Sequence, residues 1–122
     1  MTNTGKAALS LTTGLGDAER VTVALLVAVG AAESGRPTLT FLTQEAVHLA
    51  LPGFAVGTAC DGCPAIPDLL ARYEAAGGRF LVCPVCVNAR QLQDETWLAN
   101  ASLGGTVQLW EWIGDGATTF SY

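Results

Sequence analysis

The chain has 122 residues, half of them apolar and only 14% charged, with a net charge of −5. That length sets a single domain, residues 1–122, with a core large enough to stand without staples. Six Lys and Arg with no basic stripe exclude a nucleic-acid backbone as partner, and so apolar a chain leaves surface to be covered, most simply by copies of itself.

The N-terminal stretch MTNTGKAALSLTTG has neither the apolar core nor the cleavage site of a secretory leader. Within it, Lys6–Thr12 is β-prone and predicts the first strand. TGLGD turns the chain, and Asp17 is placed to cap a helix over Ala18–Glu33. That helix contains the longest apolar run, Val21–Ala32, which is too short to cross a bilayer. It is apolar on nearly every face, which predicts a sheet on one side and another subunit on the other. Gly35 stops it, with Pro37 beyond. No membrane partner is expected, and the protein is expected in the cytoplasm, where thiols stay reduced.

Thr38–Thr43 predicts the second strand, QEAVHLAL a short helix and PGFAVGTACDGC a loop. Pro67 opens the helix PDLLARYEAA and Gly77 stops it. Arg79–Cys83 is a buried strand, Pro84 opens the short helix PVCVNARQLQ, and Trp97–Ser102 predicts a fourth strand. GTVQLWEWIG follows as helix and Ala117–Tyr122 as the last strand. Uninterrupted apolar strands alternating with helices imply a parallel α/β sheet covered on both faces. Functional loops then lie at the carboxyl ends of the strands. Both C-x-x-C pairs, Cys60/Cys63 and Cys83/Cys86, fall there.

The cysteines admit three chemistries. Cys83 ends a strand just before the proline that opens a helix, which makes it the N-cap and Cys86 the third helical residue; unpaired N–H groups there favour a thiolate, the nucleophile of sulfur exchange. Zinc held by Cys60, Cys63, Cys83 and Cys86 is the second, because 19 residues separate the pairs, as in zinc ribbons. Against it, the spacer is a helix plus a strand rather than short hairpins, and neither knuckle has a small residue after its second cysteine. A disulfide or dithiol redox pair is the third. His48 as a base for a thiol, Asp61 as a polar site residue and an anion site at TTGLGD are lesser candidates, each also explained by packing or turn formation. Trp97, Trp110 and Trp112 are core or interface anchors first.

The strand ALSLTTG, the long apolar helix, GRPTLTFLTQEAVHLALPG, FLVCPVCVNAR and the closing NASLGGTVQLWEWIGDGATTFSY together resemble the DsrE/DsrF-like family over essentially the whole chain. The resemblance implies a three-layer α/β/α sandwich around a five-stranded, mostly parallel sheet. It also implies assembly as a trimer or hexamer, and a sulfur-handling role in which a persulfide forms on the cysteine ending the third strand, here Cys83, and passes to an acceptor thiol. Sulfur donor and acceptor proteins are then the implied partners. Arg90 would support that site, and no cofactor is called for, with zinc the alternative. Three features depart from a one-cysteine carrier. Cys86 stands beside Cys83, and Cys60 and Cys63 supply possible resolving thiols. Gln91 follows Arg90 where the family often has glycine.

Overall fold

The computed structural model describes residues 5–122. Five strands, β1 (Ala7–Leu11), β2 (Thr38–Leu42), β3 (Arg79–Val82), β4 (Ala101–Leu103) and β5 (Thr118–Ser121), form one sheet in the order β4-β3-β2-β1-β5. Every pairing is parallel. The helices are α1 (Ala18–Glu33), α2 (Ile66–Ala75), α3 (Pro84–Ala89) and α4 (Thr106–Ile113), with 3₁₀ segments at Leu15–Asp17 and Gln44–Ala50. Among the described residues no helix is long and apolar enough to cross a membrane.

Local signals set most boundaries. Asp17 Oδ1 accepts the Arg20 N–H at 3.1 Å and caps α1. Pro67 lies in the first turn of α2, and Pro84 is the first residue of α3. Gly35 and Gly77, at φ +91° and +88°, take the left-handed backbone that lets α1 and α2 stop.

The strand order dictates the layers. The chain steps from β1 through β2 and β3 to β4, then returns to lay β5 on the far side of β1. Right-handed crossovers that step one way run over one face of a sheet, and one that steps back runs over the other. The side chains follow, with the strand period of two. Leu9, Leu11, Leu42, Phe80 and Val82 share the large core with α1 and α2. Leu39, Phe41 and Leu81 point the other way, onto Leu109 and Trp112 of α4. The result is the expected three-layer α/β/α sandwich. Its buried polar tie is Tyr73, whose hydroxyl meets Thr40 Oγ1 at 3.0 Å and donates to Arg79 O at 2.6 Å.

Besides the sheet, α1 packs on α2 of the same chain, and Val23 and Leu26 on α1 stay exposed. Two expectations need correction. The fourth strand begins only at Ala101. Trp97 and Leu98 instead pack on the large core, and the Leu98 N–H donates to Ala50 O at 2.9 Å, away from the sheet. The helix after Pro84 ends at Ala89, because Gln91 adopts φ +56° and turns the chain out.

Candidate functional site

Cys83 is the residue after β3. Its N–H donates to Leu42 O at 3.1 Å and its carbonyl accepts the Val87 N–H at 3.0 Å, so it is both the last rung beside β2 and the N-cap of α3. Its thiol makes no capping bond. Cys86 is the third residue of α3, and both thiols are free and half-buried. They face different layers. Cys83 continues the alternation of Leu81 and packs on the α4 side, whereas Cys86 packs on the large core. The period changes from two to 3.6 at Cys83, and this change sends the thiols apart.

This junction lies where the sheet divides. β3 leads into α3 on one face, and its neighbour β4 leads into α4 on the other. Adjacent strands whose connections diverge leave a crevice at their carboxyl ends, the usual binding place in open α/β sheets. Gly104 brings the two exits together. Its N–H donates to Val82 O at 3.0 Å, and a Cβ there would stand 2.5 Å from Leu81 Cδ1. No larger residue fits that approach without displacing Leu81.

Arg90 closes α3. Its Nη1 donates to Cys86 O at 3.3 Å and its Nε donates to Glu45 Oε2 at 2.6 Å. The guanidinium holds the Glu45 carboxyl below its ordinary pKa, through the hydrogen bond first and charge second. A Cβ on Gly14 would meet Glu45 Cβ at 2.8 Å and its carbonyl oxygen at 2.9 Å. The turn after β1, the segment after β2 and the end of α3 are thus linked through Glu45. Gln44, beside it, also has positive φ, +54°. Neither Gln44 nor Glu45 is marked in the sequence. An exposed Glu and an Arg 45 positions apart form no local pattern, and Gln is not a residue that signals left-handed backbone.

The other pair sits elsewhere along the loop between Ala50 and Ile66. Cys60 and Cys63 are joined in a disulfide. Cys60 Sγ lies 3.8 Å from Thr22 Oγ1 on α1, and Cys63 Sγ lies 3.8 Å from Asp61 O. Among the described residues no three His, Cys, Asp or Glu side chains are gathered as metal ligands are. Asp61 is exposed on the disulfide turn. The His48 ring stacks on Phe54 with centroids 4.9 Å apart, and its Nδ1 is 3.0 Å from Glu45 O. TTGLGD backs onto Glu45 through Gly14 and caps α1 through Asp17. Trp112 lies under Lys6 Nζ, 5.3 Å from its ring centroid, and Trp110 is 68% exposed.

A parallel five-stranded sheet with a free thiol at the strand-to-helix junction beside its dividing point defines a class of α/β domains. The sequence pattern of the DsrE/DsrF-like family matches residues 6–122, and the chain belongs to that family. Among solved structures, the ychN protein from E. coli is similar at a TM-score of 0.78 and 18% identity, over 97% of this chain and 99% of that one. MTH1491 from Methanobacterium thermoautotrophicum, a protein of unknown function, is similar at a TM-score of 0.68 and 8% identity, over the same shares of the two chains. At these identities the likeness is one of fold. No curated protein matches the sequence.

Proposed function

We propose that this protein is a cytoplasmic carrier of sulfane sulfur that holds it as a persulfide on Cys83. The observation that carries the reading is the placement of Cys83: free, half-buried, at the carboxyl end of β3, where the connections of β3 and β4 leave toward opposite faces of the sheet. Membership of a family with sulfur-relay members adds to it. In the loading step the Cys83 thiolate attacks the outer sulfur of a donor persulfide. The donor S–S bond breaks, the donor leaves as a thiolate, and Cys83 carries the extra sulfur with its proton. An acceptor thiolate then attacks that outer sulfur and Cys83 leaves. Cys86 faces the opposite layer, so the acceptor is a thiol on a partner protein. Arg90 positions α3 through Cys86 O and Glu45.

The protein is further proposed to work as a homo-oligomer, a trimer or hexamer, packed through the α4 face. Val107, Trp110 and Phe120 remain 64%, 68% and 46% exposed there. A cleft of about 330 Å³ runs between α4, β1 and β5, lined by Phe41, Leu109, Trp110, Ile113 and Phe120. Apolar surface of this kind marks an interface.

Native mass spectrometry before and after a sulfane-sulfur donor tests both parts. The expected result is a metal-free oligomer whose chains gain one sulfur atom, lost again with reductant. Cys83→Ser is expected to abolish loading, and Cys86→Ser to leave it intact. Loading that survives Cys83→Ser, or one zinc per chain with no sulfur uptake, overturns the reading.

A further inference from the structure

The Cys60–Cys63 disulfide lies outside the Cys83 site, and its surroundings are those of a bond built to open. It closes the smallest ring a C-x-x-C pair allows, with a sequence separation of 3. Cross-links that span so few residues restrain the unfolded chain least, so fold stability gives it little purpose. The turn does not need the bond for its shape. The Cys63 N–H donates to Cys60 O at 3.0 Å, and Gly62 supplies the positive φ of +75° that the turn requires. The flanks are pinned independently of the sulfurs: the Ile66 N–H donates to Thr58 O at 3.0 Å, the Thr58 N–H donates to Ala55 O at 3.0 Å, and Ala55 and Ile66 are buried. The two cysteines are both half-buried but have different neighbours. Cys63 Sγ lies beside the carbonyl of exposed Asp61, while Cys60 Sγ lies against the hydroxyl oxygen of buried Thr22, each 3.8 Å away. The Thr22 hydroxyl already donates to Ala18 O at 2.7 Å, so its oxygen is left free to accept from a thiol.

We propose that Cys60 and Cys63 form a redox-active dithiol/disulfide site that exchanges with an external protein dithiol, Cys63 being the sulfur attacked and Cys60 the one released. A thiolate of the reductant attacks Cys63 Sγ, the Cys60–Cys63 bond breaks, and the bonding pair leaves on Cys60. Cys60 takes a proton from water and donates it to Thr22 Oγ1. The second thiol of the reductant, as a thiolate, then attacks its own sulfur in the mixed disulfide and frees Cys63. Two electrons and two protons pass to the pair, and the reductant ends as a disulfide. The assignment stands whether or not Cys83 carries sulfur.

The test uses the whole chain, first treated with oxidised glutathione, then with reduced thioredoxin, its reductase and NADPH. Thiols are alkylated under native conditions with N-ethylmaleimide and mapped by peptide mass. Cys60 and Cys63 are expected unlabelled after the oxidant and both labelled after thioredoxin, with the melting temperature almost unmoved. Peptide mapping reports each cysteine separately, so no variant has to fold for this result to count. Labelling that needs a denaturant, or thiols that oxidised glutathione fails to close, overturns the proposal. The order of attack is read from single variants. Cys60→Ser, which keeps Cys63, is expected to form a mixed disulfide with oxidised glutathione several-fold faster than Cys63→Ser, and equal or reversed rates overturn Cys63 as the entry sulfur.

Discussion

The two faces of the sheet are built to different standards. The face under α1 and α2 buries Leu9, Leu11, Leu25, Leu42, Phe80 and Val82 almost completely and satisfies its buried phenol, Tyr73, with hydrogen bonds to Thr40 and Arg79. The face under α4 has one short helix with no buried residue, and it leaves Trp110 and Val107 in the open. Cys86 belongs to the first face and Cys83 to the second. Cys83 thus lies on the layer that a single chain covers incompletely, and Cys86 on the layer that it closes.

Core truncations probe that contrast most strongly. Phe80→Ala is expected to cost about 3–5 kcal/mol, as for other buried aromatics, and Leu109→Ala on the α4 side about 1–2 kcal/mol, because part of its surface is already wet. Urea unfolding of both variants at low protein concentration checks this. Equal costs would mean that the α4 face is covered in solution, and the Leu109→Ala cost should then rise with protein concentration.

A smaller effect belongs to Tyr73. Burial pushes its hydroxyl up to about 12, against an ordinary value of 10.0. The folded state therefore keeps the proton longer than the unfolded chain. The resulting stability is present below pH 10 and is lost as pH rises from 10 to about 12. Tyr73→Phe is expected to cost about 1–2 kcal/mol at neutral pH through the unpaired Arg79 and Thr40 partners, and to remove this part of the alkaline loss. Unfolding midpoints of both proteins across that window decide it; parallel curves would contradict the assignment.

The smallest effect is at the exit of α3. Gln91 pays for its left-handed backbone at φ +56°. Gln91→Gly is expected to raise stability by about 0.5 kcal/mol, the relieved strain being partly offset by the added freedom of the unfolded chain. A lower unfolding midpoint would show that the Gln91 side chain does more than the backbone geometry suggests.

Much of this was legible from residues whose chemistry acts locally. Asp17, Gly35, Gly77 and Pro84 each mark a boundary through their own backbone or side chain, and the placement of Cys83 as cap and Cys86 as third residue follows from Pro84. Trp97 and Leu98 misled, because an apolar run looks the same whether it pairs in a sheet or packs under a loop. What joins distant positions was hidden. The Glu45–Arg90 pair, the Gly14 contact with Glu45 and the departure of the two thiols toward opposite layers depend on the crossover path, which no local pattern encodes. The spacing of Cys60 and Cys63 suited a metal knuckle and a disulfide equally, and only the three-dimensional arrangement shows them bonded to each other.

The return of the chain to β1 has a kinetic consequence. β1 pairs with β2 from nearby sequence, but its other edge waits for β5, whose Thr118–Ser121 align with Ala7–Ser10. Lys6 Nζ reaching Trp112 O and the Thr12 N–H reaching Tyr122 O span almost the whole chain. Closing so long a loop is slow, so β1 is expected to be paired on one side only during most of synthesis and refolding. A one-sided parallel strand is a template for foreign strands. The last strand thus acts as the seal of the first, and pulse-labelled hydrogen exchange should find its amides protected last.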